Sequence, residues 1–330
     1  MKILDIVGPY PPPIGGISVH ISRMEVFLKN EGIPYRIFNH GFLTTKEVIA
    51  TNKSYFWYLK YLFTQKGTLV HFHQFNVLHY FYYFVFSRIS SSKLIVTIHE
   101  ENLLYYNSLL RKIVIHFLRN TNFTALISVS SNLSDFLNQC GIPNIWLPAY
   151  VPPSQFERIL VQPKDTRAYF LYSVWKFERT ISKTIYNIDL AFQFCKLVKG
   201  KYQMLLLIGT EEESDKNYLT DMLRYYDIAD SVTVIFEAEL VSYLNNCKFL
   251  LRVNKVDGYG ISLQEALDLG IPAIATDVCI RPRGCILFRN DDIDDLMDKV
   301  NNLDKYWNRS EVASPDYHLQ LIELYKKHLQ

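Results

Sequence analysis

The chain has 330 residues, 49% of them hydrophobic and 21% charged, which supports two domains with ordinary cores and excludes extended disorder. Its net charge of +2 is too small for wholesale nucleic-acid binding, so no nucleic-acid partner is expected. The five cysteines, at 140, 195, 247, 279 and 285, form neither a CxxC pair nor a metal-binding spacing, and fit reduced thiols in a cytosol better than a disulfide framework.

The chain begins with "MKILDIVGPYPPP", which reads as a strand running into a turn and is too short and too polar for a signal peptide. Segment 18–32 follows as a helix, with Ile21, Met24, Phe27 and Leu28 on one face and Gly32 at its C-terminal cap. Further strands are predicted at "YRIFNH", "TLVHFH" (68–73), "KLIVTI" (93–98), "TALISV" (124–129) and "NIWL" (144–147), mostly separated by helix-length segments. The greasiest run, "HYFYYFVFS" (79–87), falls short of the roughly 20 residues of a membrane span. A soluble cytoplasmic protein is the expectation.

Prolines crowd 147–165, and after them the alternation restarts with "AYFLYSV" (168–174), "QMLLLI" (203–208), "SVTVIF" (231–236), "KFLLRV" (248–253) and "PAIAT" (272–276). Apolar strands joined by helices predict parallel sheets covered on both faces, hence an α/β chain of two Rossmann-like domains. The expected boundaries are a first domain over 1–152, a linker over 153–166, a second domain over 167–310 and a terminal helix within 311–330.

Doubly wound sheets bind ligands at the carboxyl ends of their strands, so a candidate residue must lie on a loop just after a strand. "KVDGYGISLQEALDLGIPAIATD" (255–277) meets that condition: Asp257 follows a strand, and Gly258 and Gly260 precede a helix expected to begin at Ser262. Such a helix start suits an anionic phosphate, because free amides and the macrodipole point at it. The plainer reading of Glu265 is a capping box with Ser262, which leaves Asp257 and the glycines unexplained. "PYPPPIGGISVH" (9–20) places Gly15 and Gly16 between the first strand and its helix, without the GxGxxG of a dinucleotide fold. "TIHEEN" (97–102) puts His99 and Glu100 at a strand end, whereas strand alternation would bring His71 and His73 onto one packed face. The acids of "NDDIDDLMDKV" read as a helix start, and Arg281 in "RPRG" reads equally as structural or as facing a ligand.

The acid–glycine–aromatic–glycine run with a second acid eight residues on, followed by "EALDLGIPAIATD", resembles the E-x7-E segment of retaining GT-B glycosyltransferases, notably family four. Asp257 stands where the first glutamate is usual. The resemblance implies two Rossmann-like domains facing across a cleft, with the C-terminal helix packing back on the first. It implies that Asp257 touches the hydroxyls of a donor sugar, that the amides of Gly258, Tyr259, Gly260 and Ile261 hold its diphosphate, and that Glu265 binds the ribose. It further assigns Gly15 and Gly16 to a glycine loop and His99 to a sugar contact. The positive charge for the leaving diphosphate falls among Lys176, Arg179 and Lys183, with Arg252 as the preferred cation.

By this resemblance the chain is a retaining transferase that moves a sugar from a nucleotide diphosphate donor, UDP-linked by preference, to a glycan or lipid-linked glycan in cell-surface polysaccharide synthesis. It implies front-face transfer with no metal and no cofactor. The alternatives are a nucleotide-sugar 2-epimerase of the same fold and a catalytically silent nucleotide-sugar binder. Segments 54–66, 77–93 and 103–119 mix aromatics with Lys60, Lys66, Arg88, Lys93, Arg111, Lys112 and Arg119. Helices of that kind lie either on the inner face of a membrane or in an ordinary core with charged outer sides.

Overall fold

Side chains alternate along each strand, so a parallel sheet with apolar residues on both faces must be covered twice. The structure is a computed structural model that describes residues 2–12, 15–41, 43–51, 55–65, 68–74, 76–99, 102–153, 168–245 and 247–330. It forms two units, Met1–Val151 with Asp316–Gln330, and Pro152–Pro315. Most of the expected linker, together with Glu100 and Lys66, lies outside the described residues.

The first unit runs β1 (Leu4–Gly8), α1 (Gly16–Asn30), β2 (Tyr35–Asn39), β3 (Val48–Ala50), α2 (Tyr55–Thr64), β4 (Leu69–Gln74), α3 (Leu78–Ile89), β5 (Lys93–Ile98), α4 (Asn102–Tyr105), α5 (Ser108–Asn120), β6 (Ala125–Ser128), α6 (Ser131–Gln139) and β7 (Ile145–Trp146). Its seven strands are parallel, in the order β3-β2-β1-β4-β5-β6-β7. The order reverses between β1 and β4. Leu4, Ile6, Leu69 and Ile95 face α1, whereas Val7, Val70, Phe72 and Val96 face the core shared by α2, α3, α5 and α6. Helix α1 starts two residues earlier than the apolar pattern suggested. It ends in a Schellman motif, with Gly32 at φ +63°, its amide bonding to Lys29 O and that of Ile33 to Leu28 O.

The second unit runs β8 (Tyr169–Val174), α7 (Arg179–Thr184), α8 (Ile188–Leu197), β9 (Gln203–Ile208), α9 (Glu213–Tyr225), β10 (Val232–Phe236), α10 (Leu240–Leu244), β11 (Cys247–Arg252), α11 (Ile261–Asp268), β12 (Ala273–Thr276), β13 (Ile286–Phe288), α12 (Ile293–Asn301) and α13 (Leu303–Tyr306), then a 3-10 turn at Arg309–Glu311. The sheet is parallel, in the order β10-β9-β8-β11-β12-β13, and reverses between β8 and β11. Neither β3 nor β13, each three residues long, was predicted. Such short edge strands carry too little pattern to read.

The last helix, α14 (Tyr317–Leu329), packs on the first unit as expected. Leu321, Ile322 and Tyr325 enter the core beside α1, the Tyr325 hydroxyl meets His71 Nδ1 at 2.5 Å, and Lys326 pairs with Glu31 at 2.9 Å. Among the described residues no helix is long and apolar enough to cross a membrane.

Candidate functional site

In the second unit the reversal of strand order opens the space beyond the ends of β8 and β11, where the chain turns outward from both. Arg252 is the last residue of β11, and Asp257 lies five residues on, before α11. The Asp257 carboxylate takes Arg252 in a fork, with Nε at 2.5 Å from Oδ2 and Nη2 at 2.6 Å from Oδ1. Its Oδ1 also accepts the Gly258 amide at 3.0 Å, and its Oδ2 accepts Nη1 of Arg281. All four acceptor positions of the carboxylate are therefore taken.

Arg281 reaches Asp257 because β12 is the neighbour of β11, which brings their following loops side by side. It is buried to 1% side-chain exposure and ties those loops together: Nε donates to Thr276 O at 3.0 Å, Nη2 to Thr276 Oγ1 at 3.1 Å and Nη1 to Gly258 O at 3.3 Å. Arg252 is the outer guanidinium, at 20% side-chain exposure, and its Nη1 donates to Ser262 Oγ at 3.3 Å. Burial works against an ionised Asp257, but Arg252 and then Arg281 overcome it and hold the carboxyl below its ordinary range. Burial also opposes the Arg252 charge, and Asp257 reverses that effect, raising its pKa. Two cations around one anion leave the loop net positive.

Helix α11 is capped by Gly260, not by Ser262. Gly260 sits at φ +83°, and a Cβ there would come 2.7 Å from Leu263 Cδ1 and 3.2 Å from Arg281 Nη1, so glycine is required on both counts. With the helix starting at Ile261, Ser262 lies inside it and its hydroxyl accepts from Arg252. The capping-box reading of Glu265 falls away, because Glu265 stands in the second turn, where it is buried. The first amides of α11, those of Ile261 and Ser262, have no carbonyl within the helix to bond. Tyr259 is buried, and its hydroxyl donates to Gln264 Oε1 at 2.9 Å, which anchors the loop to the helix.

The expected basic residues are divided. Lys176 follows β8 and pairs with Glu212 at 2.9 Å, which holds its ammonium above the ordinary lysine value. Arg179 opens α7 and lies 5.6 Å from the Tyr218 ring centre, in a cavity of about 380 Å³ lined also by Glu178, Asp215 and Asp221. Lys183 is exposed in the last turn of α7. Of Lys176, Arg179, Lys183 and Arg252, only Arg252 is seen beside Asp257 among the described residues. Two participants were missed in the sequence. Tyr186 accepts the Trp175 amide at 3.1 Å and lies within electrostatic reach of Arg252 and Asp257, and the thiol of Cys279 points at Gly258 O. Nothing in their local sequence marks either one. Arg281 had a positional signal, a loop following a strand, and the structure gives it weight.

Asn254, between Arg252 and Asp257, has a buried Oδ1 with no hydrogen-bond partner among the described residues. The acidic run at 290–295 is a helix start: Asp292 caps α12 by accepting the Asp295 amide at 2.9 Å, and Asp295 Oδ2 accepts the Arg289 amide at 2.8 Å.

In the first unit, Gly15 caps α1 with extended backbone, and its amide donates to Ser18 Oγ at 2.9 Å. A Cβ on Gly16 would meet nothing within 4 Å, so packing does not demand that glycine. His99 follows β5, with its Nε2 2.8 Å from His73 Nδ1 and the rings stacked at 5.1 Å. His71 and His73 share one face of β4, as strand alternation predicts, with ring centres 4.3 Å apart. His20 donates from Nδ1 to Ala149 O at 2.9 Å. Burial comes first in keeping the group neutral, and a nearby positive charge adds to it, Arg23 for His20 and neighbouring histidines for the rest: the His20 pKa is lowered to about 4 and that of His71 to about 3, while His73 and His99 lie well below the ordinary value.

Residues 177–303 match the family described as "Glycosyl transferases group 1". A search of curated proteins finds no match. Among solved structures the chain is similar to sucrose-phosphate synthase from Thermosynechococcus elongatus, at 14% identity over 99% of both chains with a TM-score of 0.73. It is also similar to Anabaena HepE in complex with UDP and glucose, at 10% identity over 99% of this chain and 98% of that one, TM-score 0.69. The apo form of the lipopolysaccharide outer core galactosyltransferase WaaB matches at 18% identity over 99% and 98%, TM-score 0.59. At such identities the likeness speaks for the fold, two parallel-sheet Rossmann-like units of the GT-B type.

Proposed function

We propose, from the glycosyltransferase group 1 domain that this chain carries, that it is a retaining glycosyltransferase using a nucleoside diphosphate sugar, with UDP as the nucleotide. The observation that carries this reading is Arg252, held in a fork by Asp257 beside the N-terminus of α11. A guanidinium fixed in place next to unbonded helix amides suits a diphosphate, whose charge grows as the sugar departs. Because the donor carries its own good leaving group, protonation matters less than stabilising that charge. A glycosidase, by contrast, needs one carboxyl as an acid.

In this reading the amides of residues 259–261 and the Arg252 guanidinium receive the diphosphate, the Gly258 amide joins them once it is released from Asp257 Oδ1, and Glu265 accepts from ribose hydroxyls. Asp257 acts by orienting Arg252. A direct bond from Asp257 to a sugar hydroxyl would require one of its present donors to let go. Asn254 Oδ1 offers an unfilled acceptor for a ligand hydroxyl in the same loop. Transfer would be front-face, the leaving phosphate taking the acceptor's proton as the new glycosidic bond forms on the side of the bond that breaks. In the first unit, the open space at Gly16 suits close approach of a ligand to the Gly15–Gly16 backbone, and neutral His99 suits a hydroxyl.

HepE in complex with UDP and glucose supports the choice of nucleotide, and WaaB supports an acceptor in bacterial surface polysaccharide, free or lipid-linked. The test is turnover of nucleotide sugars by purified protein, with wild type set beside Arg252→Ala and Glu265→Ala. Loss in both, with retained configuration in the product, sustains the assignment. Full activity in both variants refutes it, and turnover of donor alone to an epimer would replace transfer with epimerisation.

A further inference from the structure

The helices that cover one face of the first sheet differ in kind from those that cover the other. Helices α2, α3 and α5 contain no aspartate or glutamate, yet carry Lys60, Arg88, Arg111, Lys112 and Arg119. Over residues 48–134 there are eight lysines and arginines against two acids, in a chain whose overall charge is only +2. Among the described residues none of the five helical cations is in a salt bridge. On the opposite face Lys29 pairs with Glu25 at 2.9 Å and Lys326 with Glu31 at 2.9 Å.

The outward stripes of these helices are apolar as well as basic. Tyr58, Tyr61 and Leu62 of α2 are buried, while Phe56, Leu59, Lys60 and Phe63 fill the opposite stripe, with Phe56 at 74% exposure. Helix α3 turns Leu78, Phe81, Arg88 and Ile89 outward, and α5 turns out Leu109, Lys112, Ile113 and Arg119, with Leu109 at 68%. The three lie side by side: Phe81 and Phe84 pack on Phe117 at 5.4 and 5.5 Å, and the Tyr82 hydroxyl bonds to Tyr58 O at 3.1 Å. Single exposed apolar residues need no explanation, but a shared surface of this extent marks a binding face.

We propose that the outer face of α2, α3 and α5 docks on an anionic lipid bilayer. Cations and large apolar residues alternate within one stripe, so phenylalanine and leucine can enter the acyl boundary while lysine and arginine reach the phosphates on either side. The absence of acids removes the repulsion that an anionic surface would otherwise meet. This docking is independent of the catalytic reading, since none of these residues belongs to the Asp257 loop.

The test is co-sedimentation of the full chain with phosphatidylcholine vesicles, with and without phosphatidylglycerol, at low and high salt. Binding is expected only with phosphatidylglycerol and should weaken with salt. Lys60→Gln/Lys112→Gln/Arg119→Gln should lower partitioning by about 100-fold, at about fivefold per lost charge. Phe56→Ser/Phe63→Ser should lower it without altering the salt dependence. All five positions are exposed, so circular dichroism should remain that of wild type, and the charge variant carries the test should the apolar one fail to fold. Absence of binding at low salt, or equal binding by the charge variant, overturns the proposal. So does a lipid-free dimer that the same variants abolish, which would assign the face to a second copy of the chain.

Discussion

The two units share a topology, and each gathers polar groups beside the strands where the order reverses, within β4 and after β5 in the first and after β11 and β12 in the second, yet the two groups have opposite electrostatics. The first unit gathers His20, His71, His73 and His99 and keeps them neutral by burial. The second gathers Arg252, Asp257 and Arg281, and pairing keeps the Asp257 carboxylate and the Arg252 guanidinium charged. Burial disfavours charge in both, and the outcome depends on whether an opposite charge is within reach. Like groups crowded together give up their protons. A carboxylate between two guanidiniums keeps its charge and fixes theirs.

The sharpest way to break this comparison is Arg252→Ala. If fixed positive charge is the task of the second unit, transferase kcat/KM should fall by about 100- to 1,000-fold, measured with nucleotide sugar as donor, whereas His71→Gln should leave donor affinity unchanged. Asp257→Asn comes next. It leaves two guanidiniums facing a neutral amide, and unfolding in urea should show a loss of about 3 kcal/mol, in the range found when one partner of a buried pair is removed.

Acid titration separates the units. A histidine whose folded pKa is lowered binds its proton more readily in the unfolded chain, so stability is intact above pH 6.5 and declines below it. The decline continues towards pH 4 for His20 and for His79, a buried residue of α3 lowered likewise by burial, and towards pH 3 for His71. Each of these residues should contribute a slope of about 1.4 kcal/mol per pH unit. Asp257 has a lowered carboxyl pKa, so its contribution persists until pH falls below the unfolded value of 3.8. Hydrogen exchange followed from pH 7 to pH 4 should therefore show amides of β4 and β5 losing protection before those of β11. The smallest effect is expected for Tyr325→Phe. It removes the hydroxyl that bonds His71 Nδ1, costs about 1 kcal/mol in thermal unfolding, and should leave turnover in the presence of saturating donor unaltered.

Much of this was legible before any coordinates. The alternating apolar runs gave two doubly wound sheets, Gly32 announced the end of α1, and Asp257 with its glycines pointed to the loop that holds the charged cluster. The edge strands β3 and β13 were not legible, since three residues carry no period. Arg281 lies 24 positions from Asp257, and only the adjacency of β11 and β12 makes them partners. Lys176 and Arg179 looked as eligible as Arg252 in the sequence. Lys176 is drawn to Glu212 and Arg179 lies over Tyr218, each a neighbour supplied by α9 or the loop before it.

Local pattern thus determined the elements and pointed to the loop that carries the charged cluster, because periodicity, glycine conformations and turn residues act between near neighbours. Tertiary structure alone decided which acid met which base, and whether a buried ionisable group kept its charge. Those outcomes depend on distances across strands and on solvent exclusion, neither of which is encoded within a few residues of the groups concerned.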